Sequence, residues 1–483
     1  MDLIFILLIP FIAGGVCLIR TARWWPPAIT LLGAISVLIL SVKVAYTCAG
    51  GAGVVAYSDW ISCDGLSALV LLLVAFVGFT AALYSWGYVE ATVEARDQAE
   101  IPTRIRRYYA RYNLFLLSML AVPVLSQVAL VWIAVELTTL LSVFLVSFEN
   151  TPEALEAAWK YVVLTCVGAA FALLGILLLY WGMSTSGAGS FTWLGLVAAA
   201  PHIPPALLKT AFLFILVGFG AKAGLVPLHT WLPDAHSQAP SPICALLSGV
   251  ETTTVLYAIL RLLPALRSAP SIGVETWFVV FGLLSAGTAA FLLVQVRDYK
   301  RLFAFSTVEH MGIIMVAAGL GGAAHYGATL QMLAHGVSKS FCFFAAGSAF
   351  LALGSRDIGS VRGLVRKSPL AAVALMVGGL AIAGAPPFAV FLGEFSILRA
   401  GVTSGHYVAV GLLAFFIAIA FWGIMLPINR MVFGKPSDAT RAALPVSTRL
   451  ALLLSFIPVI FFGLYLPGPL HDLLRSAALS LGR

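Results

Sequence analysis

The sequence predicts an all-α, polytopic membrane protein with about fourteen transmembrane helices. Three observations predict this class. Hydrophobic residues make up 61% of the 483 residues, whereas charged residues make up 10%, well below the roughly 25% of soluble domains. Apolar stretches long enough to cross a bilayer follow one another along the whole chain. Two of these stretches are interrupted by glycine and proline, five spans apart, which favours two inverted five-helix repeats, each with one broken helix.

The spans need about 20 apolar residues each. We predict the first at residues 2–19, and it lacks the basic start and the small-residue cleavage site of a signal peptide. The others are predicted at 28–48, 66–88, 112–127, 128–147, 157–182, 206–228, 241–263, 273–296, 302–320, 325–353, 368–390, 407–429 and 449–467.

Four segments follow from these spans. Residues 1–111 hold the first three helices, and residues 112–263 hold the first repeat, helices four to eight. Residues 264–430 hold the second repeat, helices nine to thirteen, and residues 431–483 hold the last helix and a tail. An odd number of helices between corresponding breaks inverts the second repeat relative to the first.

The loop charges predict the orientation of these helices. The odd-numbered loops contain 18 basic residues, whereas the even-numbered loops and the tail contain five. Basic loops remain in the cytoplasm, so both termini are predicted on the extracytoplasmic side of a prokaryotic cell membrane. The same rule accounts for the net charge of +8 without a nucleic-acid partner.

The two breaks lie in GLVPLHTWLPDAH (residues 224–236) and in AIAGAPPFAVFLGEF (residues 381–395). Proline removes a helical hydrogen bond and clashes with the preceding turn. Non-helical backbone at membrane depth persists only where it is buried in protein or lines a polar cavity. Kinks that merely aid packing are the alternative interpretation.

Ionisable residues inside the spans are the candidate functional groups, because a charge at the bilayer centre costs at least about 2.5–3.5 kcal/mol. Glu136 and Lys222 are each isolated in an apolar span. We predict that they form a pair whose opening and closing lets the lysine hold or release a proton. A static ion pair that joins two helices is the alternative.

The second repeat offers a similar set. Lys339 lies four residues after His335, so both share a helix face, and an imidazole suits proton transfer near neutral pH. Glu394 follows the second break and is expected where the proton leaves toward the outside. The alternatives are a satisfied interior histidine beside a snorkelling lysine, and a glutamate that caps a half-helix.

Four further residues are candidates for the same relay. Glu251 precedes three threonines that could hold water beside it. His229 and His236 could feed protons toward Lys222 or could satisfy the broken backbone, and His310 is a further interior histidine.

The sequence lacks the motifs of an enzyme that supplies its own energy or cofactor. It contains no GxxxxGK[ST] loop, no GxGxxG fingerprint, no haem or iron–sulfur cysteine spacing and no CxxC pair. We expect no cofactor and no metal on this chain, and no catalytic chemistry of its own. An ion gradient or a partner must therefore drive it.

Together the runs AKAGLVPLHTWLPDAHSQAPSP, WIAVELTTLLS, HGVSK and GAPPFAVFLGEF resemble the antiporter-like proton-translocating subunits of respiratory complex I. That family also includes subunits of Mrp cation/proton antiporters and of membrane-bound [NiFe] hydrogenases. WIAVELTTLLSVFLV followed by LEAAWKYVVLTCVGAAF is most similar to the F component of hydrogenase-4 and formate hydrogenlyase-type complexes. The resemblance covers nearly the whole chain.

The resemblance implies specific roles. Glu136 and Lys222 match the family's gating ion pair, Lys339 and His335 its central relay, and Glu394 its terminal residue. It implies other membrane subunits and a peripheral redox arm as partners, which would carry iron–sulfur clusters and a [NiFe] centre, and H⁺ or Na⁺ as the transported ion. A complex I subunit and an Mrp subunit remain the alternatives, and a scaffold subunit with a silent channel is another.

One position departs from the family pattern. Many members carry lysine or histidine in the eighth span near Thr253, where this chain has threonines. We expect Glu251 to bridge Lys222 and Lys339 if the path is continuous.

Overall fold

The computed structural model describes residues 1–19, 22–57, 60–93, 101–187, 189–434 and 443–482. The described chain is mostly helical, which confirms the predicted fold class, and its one small sheet is a two-stranded hairpin near the N-terminus. Five of the basic residues used to assign the loops lie outside the described residues: Arg20, Arg96, Lys435, Arg441 and Arg483.

The helices follow the apolar stretches of the sequence, because in a bilayer each backbone polar group must be bonded within its own segment. The first six are α1 (Asp2–Cys17), α2 (Trp25–Ala49), α3 (Gly65–Val93), α4 (Ile101–Val124), α5 (Val128–Val146) and α6 (Pro152–Thr185). Strands β1 (Val54–Tyr57) and β2 (Ile61–Cys63) pair antiparallel between α2 and α3.

The middle of the chain contains the first break and a π-helical turn. It consists of α7 (Trp193–Ala199), α8 (Pro205–Ala223), α9 (Trp231–Gln238), α10 (Ser241–Leu246), the π turn (Leu247–Glu251), α11 (Thr252–Leu260) and α12 (Leu263–Arg267). Short 3₁₀ turns occupy Ser147–Glu149, Ala200–His202 and Pro270–Ile272.

The remainder contains the second break. It consists of α13 (Val274–Leu293), α14 (Tyr299–Leu320), α15 (Ala324–Leu353), α16 (Leu364–Lys367), α17 (Pro369–Ile382), α18 (Ala389–Thr403), α19 (Tyr407–Phe433), α20 (Val446–Leu464) and α21 (Gly468–Gly482).

Every predicted span overlaps at least one helix, and the eighth, at 241–263, contains α10, the π turn, α11 and the start of α12. In the described residues, eleven helical segments are long and apolar enough to cross a membrane, and α1 and α17 are shorter apolar helices. Helix α4 begins at Ile101, eleven residues before the predicted span, because its arginine-rich first turns continue the helix beyond the apolar stretch. The count of fourteen crossings stays a prediction.

Both predicted breaks are present. A glycine in the left-handed region ends each first half, Gly224 with φ 84° and Gly384 with φ 74°. An L side chain is disfavoured there, so glycine is the residue that lets the chain leave the helix. The second halves restart as α9 and α18.

The helices around the breaks form the centre of the molecule. The most apolar stretch of residues 241–267 is fully buried, and the corresponding stretches of α14 and α15 are mostly buried. Helix α15 packs against α3, α10, α14, α17 and α18. The polar residues of these helices therefore face other helices rather than lipid.

The C-terminal tail, for which the sequence predicts no particular structure, forms an amphipathic helix, α21. Its apolar side, which includes Leu473, Leu474 and Ala477, is buried against α2, α3 and α15. Gly65, at the start of α3, allows this close packing, because a Cβ there would overlap Ser476.

Candidate functional site

Lys222 lies at the end of α8, beside the first break, and its side chain is 2% exposed. Its ammonium donates to the Val135 carbonyl and to the Thr139 hydroxyl of α5. The nearest carboxylate oxygen is Oε1 of Glu251, at 3.9 Å from Nζ. The buried cation therefore has a buried counter-ion.

Glu251 ends the π turn between α10 and α11, a distortion that often occurs at functional sites. Its Oε1 accepts from the Thr138 hydroxyl at 2.6 Å and from the Tyr161 hydroxyl at 3.1 Å. Its Oε2 is buried without a hydrogen-bond partner among the described residues. One oxygen thus accepts both hydroxyls, and the other is free to accept a proton or a water molecule.

The structure does not bring Glu136 and Lys222 together as an ion pair. Glu136 is half-buried and accepts from the Cys166 thiol of α6 at 3.0 Å. Its Oε2 has no hydrogen-bond partner in the described part of the chain. Glu136 adjoins Val135, to which Lys222 donates, so it remains within electrostatic range of the lysine.

The π turn contacts α14 and α15, the two helices that carry His310, His335 and Lys339. The Ser248 hydroxyl bonds the Thr307 hydroxyl of α14, and the Ser248 carbonyl lies 3.0 Å from Nε2 of His335 on α15. Gly249 and Gly336 face each other closely. Glu251 and His335 are therefore joined by one short segment of backbone, Ser248–Glu251.

Lys339 is one turn beyond His335 and is fully buried. Its ammonium donates to the Phe303 carbonyl, at 2.8 Å, and to the Ser306 hydroxyl of α14. Within the described residues, no carboxylate lies at ion-pair distance from Lys339. Dipoles rather than an opposite charge thus hold this second lysine.

The predicted histidines of the second repeat lie together. The rings of His310 and His335 are 5.1 Å apart between centroids. His310 Nε2 lies 2.9 Å from the Ile382 carbonyl at the second break, and its Nδ1 contacts Gln331. Nδ1 of His335 is buried without a partner among the described residues. The histidine pair therefore connects α15, which carries Lys339, to the end of α17 at the second break.

Glu394 lies in α18, just after the second break, and is 5% exposed. Its carboxylate sits against Gly384, where any Cβ would overlap Oε2. Glu309 is a second buried carboxyl nearby, and it is close enough to feel the charges of Glu394 and Lys339. Two buried carboxyl groups thus lie near the second break, whereas a buried lysine lies beside the first.

The remaining predicted histidines have different surroundings. His229 lies in the first break, is 8% exposed and leaves Nδ1 unpartnered among the described residues. His236 is fully buried on α9; its Nδ1 contacts the Leu232 carbonyl at 2.6 Å, and its ring faces Trp231 and Phe343. His236 is also close enough to Lys339 and Lys300 to interact with their charges.

A polar cleft of about 280 Å³ lies between α9 and the N-terminal ends of α6 and α14. In its wall Asp234 pairs with Lys160, at 3.2 Å, and with Arg301. These residues come from α6, α9 and α14, and the side on which they meet is the one predicted to be cytoplasmic. Its lining includes Glu153, Glu156, Lys160, Asp234, Asp298 and Arg301.

Several contributing residues could not be singled out by charge, because they are neutral. Thr138, Thr139 and Ser142 share one face of α5, and Tyr161 faces them from α6. The sequence pattern that could have identified them is a set of hydroxyl residues at helical spacing within an otherwise apolar span. The Thr253 hydroxyl, by contrast, donates within its own segment, to the Gly249 carbonyl at 3.3 Å.

The arrangement can hold and pass protons. Carboxyl, ammonium, imidazole and hydroxyl groups lie in the buried centre, from the Lys222–Glu251 pair through the Ser248–His335 contact to the His335–His310 pair. Among the described residues, no group of three or more His, Cys, Asp or Glu could hold a metal ion. A polytopic membrane protein with paired broken helices and a buried chain of ionisable groups has the features of an ion-translocating protein.

Comparison with known proteins identifies the family. The family model described as "NADH:quinone oxidoreductase/Mrp antiporter, TM" matches residues 126–420, and "NADH-Ubiquinone oxidoreductase (complex I), chain 5 N-terminus" matches residues 60–96. The chain therefore belongs to the family of membrane subunits shared by NADH:quinone oxidoreductases and Mrp antiporters, which confirms the resemblance seen in the sequence.

Three similar proteins place it within the family. It is 36% identical to the hydrogenase-4 component F homolog of Methylacidiphilum infernorum, over 84% of this chain and 85% of the other. It is 28% identical to NADH-quinone oxidoreductase subunit N of Desulforudis audaxviator, over 79% and 75%. A chain of the archaeal membrane-bound sulfane sulfur reductase has the same fold, with a TM-score of 0.88, 24% identity and coverage of 100% and 97%.

Proposed function

We propose that this chain is an antiporter-like proton-translocating subunit of an energy-converting redox complex, and that Lys222, Glu251, His335, Lys339 and Glu394 carry the protons. One observation supports the path above all. Glu251 lies at one end of the four-residue segment Ser248–Glu251, and His335 contacts the Ser248 carbonyl at the other end, so the segment connects the ion pair of the first break to the histidines and lysine of the second repeat.

Each residue has a role that its contacts support. Lys222 holds a proton while Glu251 faces it, and Glu136 offers a second carboxylate when that pair opens. His335 and His310 pass the proton along α15 and α14 toward the second break, and Lys339 holds it there. Glu394 releases it; His229 and His236 serve the entry side.

The two breaks support an assignment of residues 112–263 and 264–430 to inverted repeats. Gly224 and Gly384 end equivalent half-helices in the same backbone conformation. In this assignment each repeat supplies one lysine of the proposed relay, and the N-terminal segment 1–111 and the C-terminal segment 431–483 complete the bundle.

A hydrogenase-4-like [NiFe] complex is the parent assembly that the comparisons favour, because the component F homolog is similar over most of both chains. The iron–sulfur clusters and the [NiFe] centre belong to partner subunits, in a peripheral arm on the cytoplasmic side. Other membrane subunits and the lipid surround this chain, both termini lie outside the cytoplasm, and H⁺ or Na⁺ is transported. A complex I M- or N-type subunit is the second candidate, supported by the similarity to the Desulforudis audaxviator protein.

Proton flux through the full chain in liposomes tests the relay. A potassium–valinomycin potential drives protons inward, and entrapped pyranine reports them. Lys222→Ala should lower the flux by about a hundredfold, the scale of a lost proton-transfer group. Lys43→Ala is the control, because Lys43 is 67% exposed and pairs only with Asp2 at 3.0 Å in the described chain. Equal flux from Lys222→Ala and the parent chain would support a scaffold instead.

Purification of the tagged chain in mild detergent tests the parent complex. Nickel and iron together support the hydrogenase assignment. Iron and flavin without nickel would replace it with complex I, and small membrane subunits without metal would replace it with an Mrp antiporter.

A further inference from the structure

The hydroxyl groups around Glu251 each have more acceptors than protons. Thr138 lies within hydrogen-bond distance of both Glu251, at 2.6 Å, and the Val135 carbonyl, at 2.9 Å. Tyr161 contacts both Glu251, at 3.1 Å, and Ser142, at 2.8 Å. Ser142 can also donate to the Thr139 carbonyl, at 3.3 Å. A hydroxyl has one proton to give, so the network has two complete arrangements.

In the first arrangement Glu251 is ionised. Ser142 donates to Tyr161, and both Tyr161 and Thr138 donate to Oε1 of Glu251. Lys222 is then an ammonium and supplies the opposite charge. Each hydroxyl proton has an acceptor, and the carboxylate has two donors, which is the arrangement that suits a buried anion.

In the second arrangement Glu251 carries a proton received from the Lys222 ammonium, which becomes an amine, so the pair remains neutral overall. The Glu251 O–H donates to the Tyr161 oxygen, Tyr161 donates to Ser142, and Ser142 donates to the Thr139 carbonyl. Thr138 turns to the Val135 carbonyl. No hydroxyl loses its proton; three O–H bonds rotate, and no donor is left unsatisfied.

We propose that Ser142, Tyr161 and Thr138 form a reversible hydroxyl network that lets Glu251 exist both with and without a proton. They are positioning residues for Glu251, and this proposal rests on the relay proposed above. A buried polar group without a partner costs about 1–3 kcal/mol, so a carrier that must change protonation needs partners in both states. A static ion pair needs hydrogen-bond partners in only one protonation state.

Ser142 makes the sharpest test, because its hydrogen bonds reach neither Glu251 nor Lys222. Ser142→Ala leaves the Tyr161 donation to Glu251 possible but removes the acceptor that Tyr161 needs in the second arrangement. We expect proton flux to fall about threefold to tenfold, the factor that one hydrogen bond is worth. Tyr112→Phe is the matched control, since that buried tyrosine donates to the Gly78 carbonyl, away from the relay.

Infrared difference spectra of the full chain in liposomes, recorded between two pH values, supply the second readout. We expect a carboxylic-acid band that Glu251→Gln removes and that Ser142→Ala and Tyr161→Phe shift in frequency. Parent-like flux in Ser142→Ala, or the absence of any band that depends on Glu251, overturns the network. If Lys222→Ala loses flux while Ser142→Ala keeps the flux of the parent chain, the proposed relay is supported and the hydroxyl network is refuted.

Discussion

The two buried lysines of the proposed relay, Lys222 and Lys339, are held in different ways. Lys222 has a carboxylate of Glu251 at 3.9 Å and two further oxygen acceptors on α5. Lys339 is bonded to a carbonyl and a hydroxyl of α14, and the histidine pair lies nearby; among the described residues its charge interacts with Glu309, but no carboxylate lies at ion-pair distance. The first site is an ion pair, whereas at the second the lysine is bonded to dipoles and its acidic neighbour Glu309 lies beyond ion-pair distance.

This difference indicates a division of labour. A buried ion pair resists the removal of either partner, because the remaining charge is left without compensation. A cation held by dipoles can lose its proton without stranding an anion at ion-pair distance. We infer that the first break controls when a proton moves, and that the second accepts and releases it.

The largest expected effect is a difference in the free energy of unfolding that is lost when each of the two lysines is replaced. Lys222→Met strands Glu251 and should lower the free energy of unfolding by about 3–5 kcal/mol. Lys339→Met removes two hydrogen bonds and strands no paired carboxylate, so we expect a loss of about 1–2 kcal/mol. Thermal unfolding in detergent measures both changes.

The double variant Lys222→Met, Glu251→Leu is the control for that prediction. It replaces both charges with apolar side chains, which is often nearly neutral for a buried pair. It should therefore recover most of the stability lost in Lys222→Met. Equal losses from the two single lysine variants would contradict the distinction between the sites.

A smaller effect distinguishes the two breaks. Gly384→Ala forces a side chain into the left-handed region, at a cost of about 1–2 kcal/mol, and displaces the Glu394 carboxylate. Gly224→Ala carries the same backbone cost but meets the flexible end of Leu232. We expect both to lower the melting temperature and Gly384→Ala to lower proton flux more; the opposite order of fluxes would refute the role of Glu394.

The smallest effect concerns the ion pairs that Asp234 makes at the polar cleft. Asp234→Asn weakens the pairs with Lys160 and Arg301, both of which are partly exposed. We expect a loss of about 1 kcal/mol or less, since exposed pairs contribute little. The difference from the parent chain should shrink at high salt; a difference that is unaffected by salt would show that packing, not charge, accounts for it.

The sequence predicts the fold well because membrane spans and helix breaks are local properties. Gly224 and Gly384 could be identified from glycine and proline within apolar stretches. The partner of Lys222 could not, because it depends on how each helix is rotated about its axis. Glu136 is isolated in its span, yet its carboxylate is turned toward Cys166, whereas the π turn directs Glu251 toward Lys222.

The central claim, that Glu251 joins the two halves of the relay, is tested most directly by proton flux through Glu251→Gln. This change leaves every lysine, every histidine and Glu136 in place. Our account predicts that flux falls about tenfold or more. Glu275→Gln, which alters a half-exposed ion pair with Arg267 away from the relay, should leave the flux unchanged. Parent-like flux through a folded Glu251→Gln chain would contradict the account.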